Sequence, residues 1–121
     1  MSTNYQIGYR FEIKCRNYWR RKGWSCDRTP ASKSPYDLTG VRKVPFPEPL
    51  QGDRPFVMRI QCQTHLPFSK KKVQALIDWC ENEATQPVLQ WGIGGKVHTR
   101  HAADYLMEDL GKVKIEGRMP E

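Results

Sequence analysis

Phe56-Val57-Met58-Arg59-Ile60-Gln61-Cys62-Gln63 is the stretch whose reading decides the fold. Val57, Met58, Ile60 and Cys62 supply apolar bulk over a short run, the pattern of a strand. Successive side chains on a strand point to opposite faces, so Gln61 and Gln63 share one face and Cys62 points inward on the other. Working towards the C-terminus, Ser69 to Asn82 reads as a helix. Ser69 is placed to cap it, and Val73, Leu76, Ile77 and Cys80 form its apolar stripe. Pro87 to Gly92 then reads as a buried strand, Gly94-Gly95 as a hairpin turn and Lys96 to Thr99 as the returning strand. A last helix is predicted from Arg100 to Leu110.

Working towards the N-terminus, Pro45 to Pro55 carries four prolines and a glycine and reads as a loop. Tyr36 to Arg42 and Trp24 to Arg28 read as two further strands, separated by a polar loop from Thr29 to Pro35. Ile7 to Lys22 reads as a helix, with Phe11, Cys15, Tyr18 and Trp19 on one face. Gly23 stops it just past a run of cations that suits the negative end of the helix dipole. The order is helix, three strands, helix, two strands, helix. It predicts an α/β domain over residues 1–110, with a mixed central sheet of about five strands flanked by helices. Residues 111–121 read as a polar tail, whose Ile115-Glu116-Gly117-Arg118 resembles a protease-linker sequence.

Lys and Arg number 20 against 13 acids in 121 residues, a net charge of +7. Such an excess favours a polyanionic partner, because each neutralised phosphate releases condensed counterions. The cations also cluster, in Arg16, Arg20, Arg21 and Lys22 and again in Lys70, Lys71 and Lys72. The four cysteines are scattered and no stretch is long enough to span a bilayer, so a reduced, cytoplasmic protein without a membrane partner is expected.

The candidate chemistry lies in four polar residues. Glu12 sits mid-helix beside an apolar face, where a carboxylate is costly without a cation. Asp37 lies in the apolar strand start Tyr36-Asp37-Leu38. If the strands carrying Asp37 and Gln61 are hairpin neighbours, Glu12, Asp37, Gln61 and Gln63 converge at a strand end. Convergent oxygens suit Mg²⁺, which takes a few protein oxygens and keeps several waters. Zinc is the competing reading: Cys62 and His65 are close and His98 and His101 lie three apart, but no Cys-x-x-Cys anchors them.

Five short motifs in order carry a resemblance. They are Gly8-x-x-x-Glu12, Gly23-Trp24, Arg28-Thr-Pro-Ala-Ser32, Pro35-Tyr-Asp37-Leu38 and Met58-Arg-Ile60-Gln61-Cys62-Gln63. Together they resemble the PD-(D/E)xK nuclease superfamily, and within it the archaeal-type Holliday junction resolvases. The resemblance implies an endonuclease-like fold and a Mg²⁺- or Mn²⁺-dependent endodeoxyribonuclease, homodimeric and acting on branched DNA. It assigns metal binding to Glu12, Asp37, Gln61 and the backbone carbonyl of Cys62. It places Ser32, or as the second choice Ser34, on a mobile loop near the scissile phosphate and gives Arg28 to the DNA backbone, with Lys33 counted beside it. Arg16, Lys70 and Lys71 join them as basic candidates for the same contact.

Two positions depart from the motif. Gln61 stands for a glutamate, and its amide oxygen can still ligate a hard cation. Gln63 stands for a lysine, and a neutral amide neither orients the attacking water nor offsets phosphorane charge well. Loss of such a group typically costs about 10²- to 10⁴-fold in rate. A replacement cation would have to come from Lys33, Lys43 or the Lys70–Lys72 cluster. A structure-selective DNA-binding protein without catalysis is therefore the second reading. A restriction-type or repair nuclease on the same fold is the third.

Overall fold

The computed structural model describes residues 3–29 and 34–108. Ser32, Lys33 and the polar tail lie outside the described residues. The elements are α1 (Asn4–Arg21), β1 (Ser25–Arg28), β2 (Leu38–Pro45), β3 (Asp53–Gln63), α2 (Lys70–Glu83), β4 (Gln86–Ile93), β5 (Lys96–His101) and α3 (Ala102–Glu108). The five strands form one sheet in sequence order. β3 and β4 are parallel and every other pair is antiparallel. Parallel pairing needs a crossover, and α2 supplies it.

α1 covers one face of the sheet, where Cys15 packs among Cys26, Leu38, Met58, Ile60 and Val88, with Phe11, Trp19 and Cys62 against them. α2 and α3 cover the other face, where Val73, Leu76 and Cys80 meet Phe68, Leu89, Trp91, Ala102 and Tyr105. β4 is therefore buried on both sides, which explains its unbroken apolar run. Gly40 is the close approach in β2: a Cβ there would stand 3.0 Å from the Met58 Cε and 3.6 Å from the Trp24 ring.

Local chemistry moved several boundaries. α1 starts at Asn4 and not Ile7, because Thr3 and Gln6 form a reciprocal capping box. It ends as expected, with Gly23 in the left-handed region at φ +91°. Ser69 caps α2, accepting from the Lys72 N–H. The proline-rich loop is shorter than expected, because the β2–β3 hairpin runs on to Pro45 opposite Asp53 and places Pro55 opposite Lys43. β4 pairs with β3 only from Met58 onward, so Pro55 lies where its missing N–H leaves no neighbour on that side unserved. α3 begins at Ala102 because β5 continues to His101, paired with Val88.

Candidate metal and phosphate site

Asp37 stands at the edge of the sheet where β1 ends and β2 begins. Its carbonyl accepts from the Thr29 N–H at 2.8 Å and its own N–H donates to the Ile60 carbonyl at 2.7 Å, tying β1 to β3. The Asp37 Oδ2 accepts from the Cys62 N–H at 2.9 Å. One residue therefore fixes both the backbone junction and the orientation of its own carboxylate.

Glu12 approaches from α1 and is half-buried. Its Oε1 accepts from the Arg28 Nε at 2.9 Å, and the Arg28 guanidinium also lies 4.4 Å from the centre of the Tyr9 ring. Burial pushes the Asp37 carboxyl up to about 6, and the negative charge of Glu12 pushes the same way. The Cys62 N–H, Arg28 and Lys72 oppose them. Asp37 and Glu12 are thus two carboxylates close enough to repel, one of them costly to ionise. Such a pair is where a cation gains most.

Behind the carboxylates, the Cys62 side chain packs on the α1 face and meets the Cys15 thiol. Burial holds the Cys62 thiol well above its ordinary range, so its side chain is neutral and only its backbone faces the site. Gln61 is half-buried, with its Nε2 3.5 Å from the Cys62 carbonyl oxygen. Gln63 behaves differently. Its Nε2 donates to the carbonyls of His65 and Pro67, each at 2.7 Å, and so secures the loop leading into α2.

The structure therefore brings together Glu12, Asp37 and the backbone of Cys62, with Gln61 beside them and Arg28 on Glu12. Arg16 lies one turn beyond Glu12, with its guanidinium on the Asn17 side chain at 3.2 and 3.3 Å. Lys70 and Lys71 are exposed at the start of α2. Sequence reasoning did not single out Tyr9, and it named Lys72 only as one of the Lys70–Lys72 run. Tyr9 lies three residues before Glu12 on α1, a spacing that marks it as a neighbour. Among the described residues, no three His, Cys, Asp or Glu side chains gather as a metal cluster, so a cation here would rest on two carboxylates helped by amide and carbonyl oxygens. No described helix is long and apolar enough to cross a membrane.

This arrangement of α1, the five-stranded mixed sheet and the crossover α2 is the fold class of the PD-(D/E)xK nucleases. Among solved structures it is similar to Hjc of Archaeoglobus fulgidus, a Holliday junction resolvase from an archaeal hyperthermophile. The TM-score is 0.59 at 14% sequence identity, over 80% of this chain and 74% of that one. A likeness at that identity establishes the shared fold. No protein-family model and no curated protein matches the sequence.

Proposed function

We propose that this protein is a metal-dependent endodeoxyribonuclease that hydrolyses phosphodiesters in branched DNA, four-way junctions above all. The observation that carries the reading is the carboxylate pair. Asp37, pushed up to about 6 by burial and by Glu12, is held by the Cys62 N–H at the start of β2. The donors available there are hard oxygens: two carboxylates, the Gln61 amide and the Cys62 carbonyl. They fit Mg²⁺ or Mn²⁺, and the mutual repulsion of Glu12 and Asp37 is relieved by a divalent charge. A bound ion would supply polarisation of a phosphate oxygen and a lowered pKa for an attacking water.

The rest falls to the chain itself. The Cys62 N–H keeps Asp37 in one orientation. Arg28 neutralises Glu12 in the free protein and can turn to a phosphate oxygen as DNA approaches. Arg16, Lys70 and Lys71 are suited to grip backbone, and Ser32 and Lys33 join them by their place in the motif order. The net charge of +7 matches a polyanion. A homodimer suits a two-fold symmetric branched substrate. One observation favours the second reading, a junction-binding protein without catalysis: the Gln63 amide nitrogen is committed to two loop carbonyls and brings no positive charge to the phosphate.

The test is to incubate the protein with a labelled four-way junction and a matched linear duplex, with and without Mg²⁺ or Mn²⁺. Paired, symmetric, metal-dependent cuts confined to the junction support a resolvase. Tight junction binding without cuts supports the second reading.

A further inference from the structure

Position 63, where the fold class would carry a lysine, holds an amide that serves a structural end. The consequence of its two hydrogen bonds lies further along the chain. By holding the His65 and Pro67 carbonyls, Gln63 fixes the β3–α2 connection against the end of β3. Two more anchors follow at once: the Phe68 N–H donates to the Tyr105 hydroxyl at 2.8 Å, and the Ser69 hydroxyl accepts from the Lys72 N–H at 3.1 Å. The first turn of α2 is therefore held over the sheet end that carries Asp37.

The helical stripe 72, 76, 79, 83 then fixes which lysine faces the site. Glu83 reaches Arg59 of β3, Trp79 packs edge-on against Tyr36 with ring centroids 5.9 Å apart, and Leu76 is buried. Tyr36 precedes Asp37. Followed back towards the helix start, the same stripe arrives at Lys72, while Lys70 and Lys71 lie on other sides of the turn. Arg28, the cation on the Glu12 side of the site, is paired with that carboxylate at 2.9 Å. Lys72 is exposed at the head of this stripe, one turn before the buried Leu76. A lysine in the first turn of a helix opposes the dipole, so it gains nothing from the helix itself.

We propose that Lys72, presented from the first turn of α2 by the Gln63-anchored loop, is the catalytic lysine of this protein. It contacts the scissile phosphate next to Asp37 and replaces the lysine that β3 lacks at position 63. The proposal rests on the nuclease reading above. Its positive charge offsets the charge that builds on the phosphoryl oxygens as the entering and leaving oxygens exchange. Gln63 is then a positioning residue, acting through the loop.

The experiment compares single-turnover cleavage of a labelled four-way junction in Mn²⁺ by the parent, Lys72→Ala, Lys96→Ala and the double variant Gln63→Lys/Lys72→Ala. Lys96→Ala removes an equal charge from the start of β5. Junction affinity in Ca²⁺, by fluorescence anisotropy, and melting temperature are read on the same proteins. Lys72→Ala should lose about 10²- to 10³-fold in rate, with an unchanged melting temperature. Its junction affinity should fall by no more than about tenfold, as one lost phosphate contact implies. Lys96→Ala should keep its rate, and the double variant should regain at least about tenfold over Lys72→Ala.

A Lys72→Ala protein that cuts as fast as the parent overturns the lysine's role and leaves the nuclease reading standing. A loss that the lysine at position 63 does not rescue, or that comes with a lowered melting temperature, also overturns it. A parent that binds the junction and never cuts in Mg²⁺ or Mn²⁺ overturns both.

Discussion

Arg28 at the end of β1 donates to Glu12 of α1 at 2.9 Å, so the carboxylate that the motif order assigns to a metal already has a counter-ion built into the fold. The same guanidinium lies on the Tyr9 ring, and one residue thereby joins helix, strand and candidate site. The pair is partly exposed, with side-chain exposures of 35% and 21%, so its net contribution to stability is at most about 1 kcal/mol.

Arg28→Ala leaves Glu12 and Asp37 facing each other without that cation. In chelator the variant should melt slightly lower than the parent, and Mn²⁺ should raise its melting temperature by more than it raises the parent's. Thermal denaturation with and without the ion checks this. Equal increments in both proteins would mean that Arg28 does not stand where the ion's charge is needed.

Asp37 gives a pH prediction whose sign follows from its raised value. A carboxyl whose folded pKa lies above its ordinary 3.8, here about 6, stabilises the fold while protonated and loses that contribution as pH rises from about 4 to about 6. Two units would be worth about 2.7 kcal/mol if the group were fully sequestered, and partial solvent access makes about 1–2 kcal/mol the better expectation. Asp37→Asn should therefore be more stable than the parent at pH 7.5 and equal to it near pH 3.5, while abolishing cleavage and keeping junction binding. Mg²⁺ should stabilise the parent and not the variant. Denaturant titrations at the two pH values decide it, and an Asn variant weaker at pH 7.5 would mean that the charge is welcome without metal.

The basic face makes its own prediction. Junction affinity should fall steeply with salt, and Lys70→Ala and Lys71→Ala should each lower the slope of log affinity against log salt by about one. A flat response in the parent would remove DNA as the partner.

The order of elements was legible because each one carries its own signal. The period-two alternation of β3, the stripe of α2 and Gly23 after α1 need nothing beyond the local chain. The length of the β2–β3 hairpin was not legible, since prolines argue against strand until it is known that β4 stops short of Pro55. Within the site, Asp37 and Glu12 could be found from order and type. The direction of the Gln63 side chain could not, because its partners are the carbonyls of a loop whose path depends on α2 packing. Lys72 was hidden for a related reason. Three successive lysines look alike until the contacts of Trp79 and Glu83 fix the rotation of the helix.

Glu83 closes the other end of that stripe and should titrate in the opposite sense to Asp37. Its carboxylate takes a two-pronged pair from Arg59 at 2.6 and 3.1 Å and a bond from the Thr85 hydroxyl at 2.8 Å. Arg59 is held in turn by the Thr39 hydroxyl at 2.8 Å and stands 4.9 Å from the Tyr36 ring centre. The hydrogen bonds from Arg59 hold the Glu83 carboxyl below its ordinary 4.5. A depressed folded value means a contribution present above pH 4.5 and lost as pH falls through the folded value. Glu83→Gln should thus cost no more than about 1 kcal/mol at pH 7 and progressively less in acid. Because Arg59 also lies against Tyr36, the residue before Asp37, the loss should loosen the β2 start as well. Amide exchange at Asp37 and Leu38 should quicken in the variant at pH 7. A variant as stable as the parent, with unchanged exchange there, would show that the ion pair is only a surface contact.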